Sequence, residues 1–173
     1  MHTEIEEVVK LIKIDGNETR YSINNFGIIK NTITNYILKP QLNNNGYYRI
    51  NLFLDNKIRK FYLHRLIALA FIENPLNKKC IDHINNQKLD NRIENLRFVS
   101  HSENNINKRI GKNNKSSCKG VYFNKKKQKW ISSLTFNKKR FYLGEFKNID
   151  DAIKKRKDGC FKYFGEFIND CDK

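Results

Sequence analysis

The chain has 173 residues, with 34 Lys or Arg against 18 Asp or Glu and a formal net charge of +16. That length suits one ordinary domain or two small ones, and no apolar run approaches the roughly 18 residues of a membrane-spanning helix, which excludes a membrane-embedded class. The excess charge points to a polyanion, nucleic acid first, although a general polyanion binder satisfies charge equally well.

The charge is unevenly placed. Residues through Asn104 carry 15 basic and 11 acidic side chains, whereas those from Asn105 carry 19 and 7. The C-terminal part is therefore the electrostatic anchor, and counterion release should make binding salt-dependent mainly through it. Cys80, Cys118, Cys160 and Cys171 show no C-x-x-C spacing, so neither a zinc knuckle nor a disulfide framework is indicated. The N-terminus MHTEIEEVVKLIKID lacks a signal-peptide pattern, and an intracellular, non-secreted protein is expected.

In chain order, residues 1–13 read as a short helix carrying Ile5, Val8, Val9, Leu11 and Ile12, few apolar positions for an isolated one. Tyr21 to Lys30 reads as two short strands around a turn in which Asn25 and Gly27 tolerate unusual φ. From Gly46 the alternation places Tyr48, Ile50, Leu52 and Leu54 on one face; Asp55-Asn56-Lys57 turns the chain and Ile58 to Leu63 returns it. His64 to Phe71 has helical composition, with Pro75 beyond its end, and its apolar face should pack on that hairpin.

Lys79 to His83 and Leu96 to Val99 read as strands flanking a polar loop. Ser100-His101-Ser102-Glu103 has the form of a capping box, so a helix should start at His101 with Asn104 in its first turn. Asn105 to Ser117 is basic and aperiodic: a linker, either a plain joint or a cationic strap along DNA. Gly120 to Phe123, Trp130 to Thr135 and Arg140 to Phe146 read as three antiparallel strands, followed by a helix to about residue 164 on which Ile149, Ile153, Cys160 and Phe164 recur.

The chemistry concentrates in CIDHINNQKLDNRIENLRFVSHSENN, from Cys80 to Asn105. An adjacent carboxylate and imidazole, Asp82 and His83, can hold a divalent cation and deprotonate water, the two tasks of metal-assisted phosphodiester hydrolysis. A D-H pair arises readily by chance on a solvated surface. It gains weight from its frame: His64-Arg65 upstream, N-x-x-x-N-L from Asn91 to Leu96, and S-x-N from Ser102 to Asn104.

This order, with H-R-L-I-A-x-A-F ahead of it, resembles the HNH endonucleases, in particular the phage- and virus-type homing group, over about Leu63 to Asn107. Y-S-I-N-N-F-G-I-I-K and G-Y-Y-R-I-N-L resemble the short module that precedes this core in the same group. The resemblance implies a ββα-metal core in which His83 is the general base and Asn95 holds the His83 loop. Asp82 and Asn104 would ligate one Mg²⁺ or Mn²⁺. Oxygen ligands, few of them from protein, suit those ions, and an ordinary imidazole is mostly neutral at neutral pH. Asn104 stands where the family name has histidine, which favours Mg²⁺ or Mn²⁺ over zinc. His64 reads either as a structural junction residue or as a phosphate contact, His101 as exposed, and Asn91 as sharing the role of Asn95.

From about Ser117 to Phe167, G-V-Y-F, K-W-I-S-S-L, R-F-Y-L-G-E-F and a helix ending in F-G-E-F resemble the AP2/ERF-type DNA-binding domain. Trp130, Ser132 and Leu134 would then pack on the helix, and the opposite face would enter the DNA major groove. The resemblance implies Tyr122, Asn124, Ser133, Thr135, Arg140 and Tyr142 as contacts; several of these are Tyr, Ser or Thr where plant members use arginine. Lys125, Lys126, Lys127, Lys138 and Lys139 at the turns suit phosphates.

The expected architecture is α+β: N-terminal hairpins with a ββα-metal core (1–107), a basic linker (108–116), and a three-stranded antiparallel sheet with one helix (117–173). The expected function is metal-dependent cleavage of double-stranded DNA, with one centre nicking one strand as a monomer. The alternative is a catalytically inactive, sequence-specific DNA-binding regulator. RNA binding is a third class, separated by direct competition.

Overall fold

The computed structural model describes residues 6–107, 110, 114–136 and 138–164. The chain divides into two compact units, Met1–Phe98 and Val99–Lys173.

The first unit opens with β1 (Val9–Ile14) and β2 (Asn17–Asn24), paired antiparallel. This corrects the helix expected over 1–13, whose described part from Val9 is a strand; residues 1–5 lie outside the described residues. The physical reason is the Asp15-Gly16 turn, with φ of 54° and 85°, a strong hairpin signal that a short isolated helix cannot outweigh. An irregularity in register between Leu11 and Lys13 lets Ile12 enter the core at 3% exposure. β3 (Ile29–Asn31) and β4 (Ile37–Leu38) complete a sheet in the order β1-β2-β3-β4.

The β2–β3 turn uses Gly27, at φ 82° and with a built Cβ only 2.9 Å from Ile67 Cδ1. Asn25 is not a positive-φ residue. Its Oδ1 instead accepts the Val8 N–H at 3.0 Å, tying the turn to the start of β1.

A second antiparallel sheet contains β5 (Gln41–Leu42), β6 (Tyr48–Leu54) and β7 (Lys57–Tyr62). Asp55 and Asn56 both have positive φ, so the turn is two residues and Lys57 already belongs to β7. The Tyr21 hydroxyl accepts the Phe53 N–H at 3.1 Å and joins the two sheets. Helix α1 (Leu63–Phe71) follows at once and buries Leu63, Leu66, Ile67 and Ala68. Its apolar stripe packs with Ile12, Ile23 and Ile29 of the first sheet as well as Ile50 and Leu52 of the second, so the core is shared by both. At about 1.5–3 kcal/mol per buried aliphatic side chain, this shared core dominates the unit's stability. β8 (Cys80–His83) and β9 (Leu96–Val99) form a two-stranded sheet, with a 3-10 turn at Ile93–Asn95 before β9.

In the second unit, α2 (His101–Asn107) begins with a reciprocal capping box. Glu103 N–H donates to Ser100 Oγ at 3.2 Å and Ser100 N–H to Glu103 Oε2 at 2.6 Å. Its other end is tied by Lys119, whose Nζ donates to the Ile106 carbonyl at 2.7 Å. Ile106 packs with Leu134, Cys160 and Phe164 of the same compact unit.

The linker expected to residue 116 is shorter where it is described. Ser116 is buried, and its Oγ donates to the Val121 carbonyl at 2.6 Å, building this segment into the unit. The expected linker positions 108, 109 and 111–113 lie outside the described residues, as do residues 165–167 of the F-G-E-F segment.

β10 (Val121–Asn124), β11 (Lys129–Phe136) and β12 (Lys139–Phe146) form an antiparallel sheet in that order, covered by α3 (Ile149–Phe164). Trp130, Phe146 and Ile153 pack on Cys118, Val121 and Ala152, while Leu134 packs on Cys160 and Phe164. Register shifts between Ser132 and Ser133. Consequently the face opposite α3 is not uniformly open: Ile131 and Ser133 are 3% and 5% exposed.

Candidate functional site

Asp82 and His83 are consecutive on β8 and both are buried. Alternation along a strand sends their side chains to opposite faces, so each meets a different set of neighbours. Asp82 Oδ2 accepts from Arg97 Nε at 3.2 Å and Nη2 at 3.1 Å across the β8–β9 pair. His83 Nε2 lies 3.0 Å from Asn91 Oδ1. In the tautomer that carries its proton on Nε2, the ring donates to Asn91 Oδ1 and Nδ1 keeps the lone pair.

The loop carrying Asn91 is braced from within. Asn95, at 7% exposure, accepts the Asn85 N–H at 3.0 Å through Oδ1 and donates through Nδ2 to the Asp90 carbonyl at 2.7 Å. Asn85 Nδ2 donates to Asp90 Oδ2, and Arg92 donates through Nε and Nη2 to the two Asp90 oxygens, each at 2.8 Å. The Arg92 guanidinium, together with Asn85, holds the Asp90 carboxyl well below the usual carboxylate range. Asn91 and Asn95 thus differ: the first touches the imidazole, the second the backbone of the loop.

Around His83 the rings are close-packed. The His64 ring, near the start of α1, is 5.1 Å from it, Tyr47 is 6.0 Å away, and Tyr62 stacks on His64 at 5.4 Å. Burial, with smaller contributions from His83 and Arg65, pushes the His64 imidazole down to about 4, so it stays neutral near pH 7. Burial and the nearby Tyr62 and Asp82 push the Tyr47 hydroxyl up. His64 therefore packs in an aromatic layer beside His83.

Asn104 lies on α2 in the second unit, half-buried, and His101 is exposed. Among the described residues no group of three or more His, Cys, Asp or Glu side chains forms a metal site. Asp82 in the first unit offers a carboxylate, and Asn104 in the second an amide oxygen; oxygen donors suit Mg²⁺ or Mn²⁺, which take few protein ligands and complete their shell with water and phosphate. Sequence reasoning missed Arg97, Tyr47 and Tyr62. A lone arginine inside the apolar strand LRFV was the one signal for the first.

The eleven positions expected to meet DNA fall on or beside the C-terminal sheet. Tyr122 and Tyr142 are 45% and 61% exposed, and Lys125, Thr135, Lys139 and Arg140 are also exposed. Arg140 Nη2 donates to the Tyr122 hydroxyl at 3.1 Å and to Ser133 Oγ at 3.3 Å. Asn124 holds the following turn, its Oδ1 accepting from Lys126 and Lys127 N–H. Lys127 pairs with Glu145, whose carboxyl is held below its ordinary value by Lys127 first and then Tyr142.

Ser133 is a correction. The register shift and the covering Gly120 carbonyl, which accepts the Ser133 N–H at 2.9 Å, bury its hydroxyl. It supports Arg140 instead of facing outward.

Residues 61–106 match the HNH endonuclease family and residues 12–53 the NUMOD4 motif. The first match runs across the division at Phe98 and covers β8, β9 and most of α2. An HNH endonuclease of Acanthamoeba polyphaga mimivirus is 47% identical over 103 residues, covering 57% of this chain and 25% of that protein. The DNA endonuclease I-HmuI of Bacillus phage SP01 is 36% identical over 87 residues, half of each protein. A solved structure described as DNA binding and cleavage by the HNH homing endonuclease I-HmuI has 34% identity and a TM-score of 0.48, covering 54% of this chain and 52% of that one. The chain thus spans a quarter to a half of the length of the curated relatives it matches.

Proposed function

We propose that the protein is a metal-dependent DNA endonuclease of the HNH homing type, which hydrolyses phosphodiester bonds in duplex DNA and, as a monomer, nicks one strand. The observation that carries this is the contact between Asn91 Oδ1 and Nε2 of the buried His83 within the matched segment, which in the Nε2-protonated tautomer makes Nδ1 the basic nitrogen.

His83 Nδ1 takes the proton of the attacking water. Asn91 keeps the ring's other proton on Nε2 and fixes the ring plane, and Asn95 holds the loop from which Asn91 projects. The Asp82 carboxylate and the Asn104 amide oxygen would hold one Mg²⁺ or Mn²⁺, which would supply stabilisation of charge on the leaving 3′ oxygen. Arg97 shares Asp82 Oδ2 and limits the carboxylate's freedom to turn away.

DNA is gripped by the C-terminal sheet, an AP2/ERF-like module in this reading. Tyr122, Arg140, Thr135 and Tyr142 lie toward the bases, and Lys125, Lys127 and Lys139 toward phosphates.

The test is nicking of supercoiled plasmid with and without Mn²⁺ or Mg²⁺, followed by end mapping. Nicks with 5′-phosphate ends, lost in His83→Ala, are expected. Cleavage undiminished in His83→Ala removes His83 as the base. A specific duplex shift with no nicking in either metal favours the DNA-binding regulator.

A further inference from the structure

Six arginines lie among the described residues of the first unit, and five donate to a protein oxygen. Arg20 reaches the Phe53 carbonyl, Arg59 Asp15, Arg65 the Lys79 carbonyl, Arg92 Asp90 and Arg97 Asp82. Arg49 is the exception. Its Nε is buried, and among the described residues it has no hydrogen-bond acceptor.

Arg49 lies on β6 opposite Gln41 of β5 and Tyr62 of β7, so neither cross-strand neighbour is a carboxylate. Its guanidinium carbon is 5.2 Å from the centre of the Tyr62 ring, a cation–π contact that holds the group in place without satisfying its N–H donors. Buried donors in native structures are almost always met by protein, water or a bound partner.

The location suggests which ligand. Tyr62 stacks on His64, and His64 meets His83 edge-on, so Arg49 is linked to the candidate base through two successive ring contacts. Lys88 Nζ sits 4.7 Å from the centre of the Tyr47 ring, which itself neighbours His83. Two cations thus reach the surroundings of the imidazole through its aromatic neighbours.

We propose that Arg49 is a phosphate-binding residue that seats a backbone phosphate of the DNA strand neighbouring the one cut at His83. The proposal rests on the endonuclease reading and adds to it a grip within the first unit. The planar guanidinium fork matches two phosphate oxygens at once, and the Tyr62 face orients it in advance.

The test is fluorescence anisotropy of the full chain on a short duplex of arbitrary sequence, across a salt series, in chelator so that nothing is cut. Arg49→Met and Arg49→Gln should each bind about tenfold more weakly. The slope of log affinity against log salt should shallow by about 0.9, the loss of one phosphate contact. Arg59→Met removes the same charge from the adjoining strand, but Arg59 is already paired with Asp15, and binding should stay within about twofold.

The slope is taken from whichever Arg49 variant melts at the wild-type temperature, which separates ligand contact from mere packing on Tyr62. Wild-type affinity and slope in that variant would overturn the proposal while leaving the endonuclease reading intact. Equal weakening in the Arg49 and Arg59 variants would overturn it too, by showing only net charge. If the unsubstituted chain fails to bind the duplex, the endonuclease reading falls and this proposal with it.

Discussion

Asp82 and Arg97 face each other across β8 and β9, with Oδ2 and Nη2 3.1 Å apart and side chains only 9% and 19% exposed. Removing one partner of such a pair withdraws compensation from a largely desolvated charge. Arg97→Met should therefore lower stability by about 2 kcal/mol, less than for a fully buried pair because Arg97 keeps some solvent. If Asp82 is a cation ligand, added Mg²⁺ should recover more stability in the variant than in the parent, since the ion replaces the lost positive charge. Denaturant titrations with and without Mg²⁺ check both expectations.

Asn91 and Asn95 are separable. Asn91→Ala removes the acceptor that orients His83, and nicking should fall about 10- to 100-fold through kcat, with KM and melting little changed. Asn95→Ala leaves the Asn85 N–H and the Asp90 carbonyl without their partner, and should cost about 2 kcal/mol of stability. Comparable melting losses in the two variants would contradict this division.

His64 gives stability a pH dependence of known sign. Its ordinary value of 6.5 is lowered to about 4 in the folded chain. Between those values the unfolded chain binds the proton and the folded one does not. Stability is therefore fully retained above pH 6.5 and falls as pH drops toward 4, by about 2 to 3 kcal/mol. His64→Phe keeps the ring packing and should remove this component of the slope, which denaturant titrations from acid to neutral pH would show.

Gly120 is the position in the second unit least able to accept a side chain. It has φ 71°, and a built Cβ lies 2.0 Å from the Ser133 carbonyl oxygen. Gly120→Ala should cost more than about 3 kcal/mol, through backbone strain and the forced opening of the Gly120–Ser133 contact. Thermal unfolding followed in the Trp130 fluorescence would report it, and a wild-type melt would contradict the close approach.

Features set by neighbours in sequence were legible before the structure. The capping box at Ser100 and Glu103 and the turn at Asp55 are both of this kind, whereas the adjacency of Asp82 and His83 did not show that their side chains meet different partners. The β1 strand was misread because a short apolar run fits helix and strand alike, and Asp15-Gly16 was not weighed against it. Arg97 was invisible as a partner of Asp82 because cross-strand proximity depends on a register that spacing does not supply. Ser133 was placed on an open face because strict alternation was assumed, and the shift beside Ser132 breaks it. Arg49 was missed for a different reason: its significance lies in an unmet donor, which no pattern of residue types records.

The strand order of the three larger sheets has a kinetic consequence. Each runs β1-β2-β3-β4, β5-β6-β7 or β10-β11-β12, so each strand lies beside its successor in the chain. Such meanders close mostly short loops, and low contact order favours rapid assembly, hairpin by hairpin. The β8–β9 pair must instead close the loop from residue 84 to 95, whose shape depends on Asn95, Asp90 and Arg92 finding one another. Folding should thus raise the scaffold first and complete the 84–95 loop late, so that an immature chain has a framework before Asn91 is in place against the His83 imidazole.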